Sequence, residues 1–320
     1  MKFYFFLFGG VFFSVLFFPN VSVAADGLSV EPAFQEVTLE ASQSQAEFSI
    51  TLHNNTSQPI VLRPSVVDFG TLDETGGVAF LGKADDLERK YALASWMRPQ
   101  KDMVSLGAGE SEVLLVTIEN RESLSPGGHY GAVLFQMSNN EAFSDTGNAI
   151  AVKQILSVLV FAKKQGGEVY QLALKDWEWR QNVFFVPPQI HLRFQNQGNV
   201  HVVPRGRVII SDPLGRVVRK GILNEESTLI LPETMRRYLV TFVPLLRSFI
   251  PGRYTVEIAY RYDGEENFTV TSFQFDFIPP LAILSFLILV TGGWYVRKRR
   301  SITGEKKAVD RSFSAKSKDV

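Results

Sequence analysis

The 320-residue sequence predicts an all-β protein: two tandem immunoglobulin-like β-sandwich domains followed by one C-terminal transmembrane helix. Three observations lead there. Apolar residues alternate with period two in segment after segment of 26–276, the mark of strands with one buried face. One order of strand and turn signals occurs twice in that region. Residues 277–296 then run about 20 positions without a charge, enough to span a hydrocarbon core at about 1.5 Å per residue.

The N-terminus, residues 1–25, reads as a cleaved signal peptide. Lys2 precedes the apolar run "FYFFLFGGVFFSVLFF", which is short for a spanning helix, and small residues at Ala24 and Ala25 fit a signal-peptidase site.

Domain 1 is expected over 26–165 and domain 2 over 168–276, with "KKQGGE" (163–168) as hinge. In "AEFSITLHN" Phe48, Ile50 and Leu52 share one face; in "QIHLRFQN" Ile190, Leu192 and Phe194 do the same. Each strand meets an Asn turn and then a Pro-bearing strand, "NNTSQPIVLRPSVVD" and "NQGNVHVVPRGRVIISD". Next come strands opened by turn residues, "LGAGESEVLLVTIEN" and "LPETMRRYLVTFVP". The last shared unit is Pro126-Gly127 ahead of Tyr130 and Pro251-Gly252 ahead of Tyr254. Pro presets φ, Gly supplies the unusual φ, and the Tyr starts a strand whose corner its hydroxyl can anchor. With the two tyrosines aligned, Arg253 stands where His129 does, so His129 reads as a solvated turn residue. Outside the shared plan, 84–90 is expected as a short helix or turn before a strand, and 138–150 as a polar loop.

The C-terminal span 277–296 opens with Pro279-Pro280, ends with the interfacial aromatics Trp294 and Tyr295, and is followed by Arg297, Lys298, Arg299 and Arg300. The positive-inside rule places this tail in the cytoplasm and the two domains outside, as a single-pass membrane protein. The basic tail is 297–320; its later part, 301–320, is polar and expected to be disordered.

This topology redistributes charge. The whole chain is neutral, but 26–276 holds 23 basic and 30 acidic residues, and the tail nine basic and three acidic. An acidic exported region argues against nucleic-acid binding. The absence of cysteine excludes thiol catalysis and Cys-based zinc sites.

No catalytic or cofactor-binding pattern stands out. Ser111 in "LGAGES" lacks the elbow of a serine hydrolase, and there is no phosphate loop. His53, His129, His191 and His201 make no helical metal pair. A two-residue hairpin at Gly198-Asn199 would set Asn196, not His191, opposite His201. The binding candidates are aromatic: Trp177 and Trp179 in "KDWEWRQNVFFVPP", and Trp96. The tryptophan pair has the opposite parity to Leu172 and Leu174, so either a bulge lies near Lys175-Asp176 or the pair faces outward. Exposed, the pair would suit a glycan or protein partner; packed, it caps the core of domain 2.

The segments "LSVEPAFQEVTLEASQSQAEFSITLHNNTSQPIVLRPSVVDF", "ASWM", "VSLGAGESEVLLVTIENRESLSPGGHYGAVLF" and "AIAVKQILSVLVFA" resemble the first domain of the WxL-interacting surface proteins of Gram-positive bacteria. "FQNQGNVHVVPRGRVIISDPLGRVV", "LPETMRRYLVTF" and "PGRYTVEIAY" resemble their second domain. The resemblance implies cell-wall peptidoglycan binding by domain 1, and binding of a partner surface protein or host matrix by domain 2. The expected function is thus a non-enzymatic, membrane-anchored adhesion or scaffold module. The alternative is a pilus-chaperone-like, strand-donating module for exported proteins, which an unpaired strand edge in domain 1 would support.

Overall fold

A computed structural model describes residues 27–82, 90–137, 155–179, 184–246 and 250–316, with side chains to Arg299. The expected signal peptide, the helix or turn at 84–90 apart from Lys90, and the loop at 138–150 lie outside the described residues.

The two expected β-sandwiches and the C-terminal helix are present. Domain 1 runs β1 (Leu28–Glu31), β2 (Phe34–Leu39), β3 (Gln45–Asn54), β4 (Ile60–Thr71), β5 (Val78–Gly82), a 3-10 turn at Ala94–Trp96, β6 (Met97–Pro99), β7 (Val104–Leu106), β8 (Ser111–Glu119), β9 (Gly127–Met137) and β10 (Ile155–Lys164). One sheet has the order β1-β3-β8-β6; the other has β2-β10-β9-β4-β5, with β7 also on β4. The alternating residues Phe48, Ile50 and Leu52, with their cross-strand neighbours Leu114 and Val116, pack with Val133 and Phe135 of the other sheet in the core between them.

Domain 2 runs β11 (Leu172–Glu178), β12 (Gln189–Asn196), β13 (Arg205–Ser211), β14 (Val217–Leu223), β15 (Met235–Thr241), β16 (Val243–Pro244), β17 (Gly252–Arg261) and β18 (Thr269–Phe277). Its sheets are β11-β12-β15 and β16-β14-β13-β17-β18. Leu192, Phe194, Val208, Tyr254, Val256 and Ile258 fill the core.

The repeated Asn turns repeat in space. Asn54 and Asn196 are both fully buried. Asn54 Nδ2 donates to the carbonyls of Gln58 and Gly107, each at 2.8 Å; Asn196 Nδ2 donates to Val200 at 2.7 Å and Ile230 at 3.0 Å. Each amide satisfies carbonyls of a loop that crosses between sheets, which buried backbone requires. The Gly198-Asn199 turn is therefore a crossing and not a hairpin: β12 pairs with β11 and β15, and the chain passes to β13 in the other sheet.

The helix α1 spans Pro280–Lys316. Phe277 ends β18 with its side chain buried, so the helix starts three residues later than the apolar run. It also continues through most of the tail expected to be disordered. After Pro280 no proline interrupts it, and Lys, Arg, Glu and Ala favour propagation. Arg297, Lys298, Arg299 and Arg300 all lie on α1, with Lys298 Nζ 5.0 Å from the Trp294 ring centroid. Among the described residues, Pro280–Arg299 is the one helix long and apolar enough to cross a membrane.

Candidate functional site

His129 is not a solvated turn residue. It is 2 % exposed, and its ring faces two carbonyls: Ser125 O at 2.8 Å from Nε2 and Ala92 O at 3.1 Å from Nδ1. Counting from the shared Pro-Gly, and not from the tyrosines, explains this. Pro126 to His129 and Pro251 to Tyr254 have the same spacing. Tyr254 Oη donates to Ile250 O, four residues back, at 3.0 Å; His129 meets Ser125, also four back. The histidine occupies the corner position that the tyrosine holds in domain 2. Burial, opposed by the two carbonyls, pushes its pKa below the ordinary imidazole value.

Tyr130 is displaced by one position and points to the other face of β9. There it meets domain 2: Tyr130 Oη lies 3.3 Å from His201 Nδ1. Phe69, Tyr130 and Phe161 of domain 1 pack edge-on against one another, with centroids 5.3–6.0 Å apart, and His201 enters this group at 5.5 Å from Phe161. Leu231 joins from domain 2. Burial raises the Tyr130 phenol and lowers the His201 imidazole. Polar contacts frame this seam. Lys90 Nζ and Tyr91 Oη both donate to Glu233 Oε1, at 2.6 and 2.9 Å. Glu74, on the hairpin between β4 and β5, pairs with Arg193, and its carbonyl accepts from Arg237 N at 2.8 Å. That hairpin thus covers part of the edge of β15. Phe69, Tyr91, Tyr130 and Leu231 also line a cavity of about 220 Å³ at the domain junction.

From this seam an apolar strip runs outward on domain 1. Val67, Leu134 and Leu159 are half-buried neighbours of the aromatic group. Ile155, on the same face of β10 as Leu159 and Phe161, is 51 % exposed. Beside it the sheet is incomplete. β2 pairs with β10 from Phe34↔Leu159 to Leu39↔Lys164, whereas β9 pairs with β10 along its whole length. Among the described residues, Ile155–Val158 therefore has no partner on its outer edge. The cause is local: β1 belongs to the opposite sheet, and the chain changes sheets at Pro32-Ala33, where proline offers no donor to extend a ladder. Leu159 N donates outward to Ala33 O, so alternation turns the Ser157 N–H and C=O toward the open edge. Other edges are open too, but β18 presents Ser272, Gln274 and Asp276 on its outward face, which blunts it.

The tryptophan candidates are packed. Trp96 is 5 % exposed in the core of domain 1, with Arg121 over its ring at 5.8 Å, so it is unavailable as a binding residue. A register shift between Leu174 and Asp176 reverses the parity of β11, as the sequence allowed. Trp177 and Trp179 then turn inward and stack on Phe273 at 4.6 and 4.8 Å. They close the open side of domain 2 between its two sheets and stay half-buried.

Among the described residues no catalytic grouping assembles elsewhere. His53 Nδ1 and Ser111 Oγ, 2.5 Å apart, are a cross-strand pair on an exposed sheet face. Among the described residues no group of three His, Asp or Glu side chains could hold a metal ion.

Comparison with known proteins gives structural likenesses only. No family model and no curated protein matches the chain. Similar solved structures include the class 5 fimbriae chaperone CfaA, with a TM-score of 0.43 and 11% identity over 79% of this chain and 100% of that one. The E. coli chaperone DraB gives a TM-score of 0.36 and 11% identity over 78% of this chain and 96% of that chain. A structure of the Salmonella enterica SafA pilin in complex with the SafB chaperone gives 0.36 and 10%, over 80% and 98%.

Proposed function

We propose that this chain is a membrane-anchored module, held by α1 with both domains outside the membrane, that binds an extended segment of another exported protein. The segment adds as a strand to the open edge of β10 and lays alternate side chains on the strip of Ile155, Leu134, Leu159 and Val67 toward the domain seam. The edge at Ile155–Val158, unpaired among the described residues and set beside an apolar outward face, carries this reading. Main-chain hydrogen bonds to the edge supply affinity, and pockets for every second side chain supply selectivity. It is the strand-pairing alternative, preferred over wall-glycan binding because the tryptophans that would receive a sugar are packed into the domains.

Selection of displayed peptides on the full chain in nanodiscs tests it. Enriched peptides should be uncharged with apolar residues at alternate positions. Ser157→Pro removes one outward N–H at an edge where proline is tolerated, and should abolish their binding, while Ser157→Ala retains it. Sedimentation with isolated peptidoglycan is the opposing arm. Pelleting that Ser157→Pro leaves intact, with no peptide enriched, would move the function to the wall glycan implied by the resemblance to WxL-interacting proteins.

A further inference from the structure

The two ends of domain 2 differ in chemistry, and the difference follows the chain's exit into α1. At the end nearer domain 1, the turns after β14 and β17 carry Glu225, Glu226, Asp263, Glu265 and Glu266. The opposite end gathers the turn between β13 and β14, the segment after β15, the start of β12 and the end of β18. The register fixes this: Ser211 pairs with Thr255, and Gly252 with Phe277. Leu245 N donates to Val218 O, and Phe242 N to Pro188 O, each at 2.9 Å.

This end exposes large apolar side chains. Leu214 is 67 % exposed, Phe185 62 % and Leu245 58 %, with Leu246 and Ile278 also open to solvent. Two ion pairs lie at this end: Arg216 with Asp212 at 2.7 Å, and Arg253 with Asp276 at 3.4 Å. Only Ile278 and Pro279 separate β18 from α1, so three peptide steps, about 10 Å of reach, tie this end to the helix.

We infer that this collar is a lipid-contact surface: Phe185, Leu214, Leu245 and Leu246 sit in the headgroup region of the bilayer that α1 crosses. The inference rests on the reading of α1 as membrane-spanning. A short tether leaves the collar no other surface to face, and apolar side chains gain by entering the outer several ångströms of the interface. Paired charges lower the cost of approaching it, whereas Glu225, Glu226, Glu265 and Glu266 at the far end, beside the Arg205-paired Asp263, would be repelled by anionic lipid. Domain 2 is then seated on the membrane and not merely tethered to it, which fixes the direction in which domain 1 and the β10 edge project.

The native chain has no cysteine, so single labels are unambiguous. Leu214→Cys, Leu245→Cys, Glu265→Cys and Ile288→Cys would each carry a nitroxide in the full chain, reconstituted in vesicles of phosphatidylcholine and phosphatidylglycerol. Collision rates with oxygen and with a water-soluble nickel complex give depth. Oxygen should exceed nickel several-fold at 214 and 245, as at 288 in the helix, while nickel dominates at 265. Labels at 214 and 245 as nickel-accessible as 265, with 288 in lipid, would overturn the collar and leave the anchor standing. Nickel access at 288 would overturn the anchor, and the collar with it.

Discussion

Domain 1 and domain 2 follow one plan and use its corner differently. In domain 2 Tyr254 closes its own corner: the ring is fully buried and the hydroxyl bonds Ile250 O. In domain 1 His129 does that work, and Tyr130 is released to the outer face, where it builds the seam with Phe69, Phe161 and His201. One extra residue between Pro-Gly and Tyr shifts the aromatic ring from core to interface, because side chains alternate along a strand. The sheets differ in the same sense. Trp177 and Trp179 plug the open side of domain 2, whereas β10, among the described residues, keeps an open edge at Ile155–Val158 beside an apolar face. In the proposed function, domain 2 is the closed support and domain 1 the binding half.

The largest effect should come from truncating the corner ring. Tyr254→Ala empties a core site, at a cost of about 3–5 kcal/mol, and denaturant unfolding should show domain 2 lost. Tyr130→Ala should instead leave the domain 1 transition in place and free the two domains to reorient, visible as a broadened distance distribution between labels on each.

His129→Leu comes next. It removes the one N–H that the neutral imidazole donates to the facing carbonyls of Ser125 and Ala92, for about 1–2 kcal/mol. The histidine also makes stability fall in acid. Burial lowers the folded-state pKa of both His129 and His201, so below about 6.5 the unfolded chain takes up protons the folded one refuses. Stability should therefore drop as pH decreases through the ordinary imidazole value, and the slope should shrink in His129→Gln/His201→Gln. An unchanged slope would remove the role given to both rings.

The smallest effect separates the two hydroxyls. Tyr254→Phe should cost about 1 kcal/mol in unfolding. Tyr130→Phe should cost close to nothing, since its 3.3 Å contact is long, yet it should move the His201 resonance in NMR titration.

Much of this fold was legible because alternation is a direct readout of burial: Phe48, Ile50, Leu52, Leu192 and Phe194 all lie where period two puts them. The buried Asn54 and Asn196 were visible as turn residues, though their inward amides were not. The parity conflict at Lys175-Asp176 allowed a bulge or an outward-facing tryptophan pair, and the structure has the bulge. His129 was misread because the repeats were aligned on the tyrosine; alignment on Pro-Gly would have found it. The helical tail was missed because polarity weighs against a packed core but not against extension of an existing helix. The β10 edge could not be read from its own residues, since it depends on where β2 begins to pair, a long-range register that no local pattern encodes. The seam was invisible for the same reason: His201 meets Tyr130 across 71 residues.

The most direct test sets the two domains side by side. A photo-crosslinking residue would be placed at Ser157 on β10, or at Gln274 on β18, in the full chain in its native membrane. The account predicts crosslinks to an exported protein from 157 and none from 274, with the joined positions on the partner stepping by two residues as the crosslinker is moved from 155 to 157. Equal capture from both strands, or partner positions without that two-residue step, would contradict strand addition at β10.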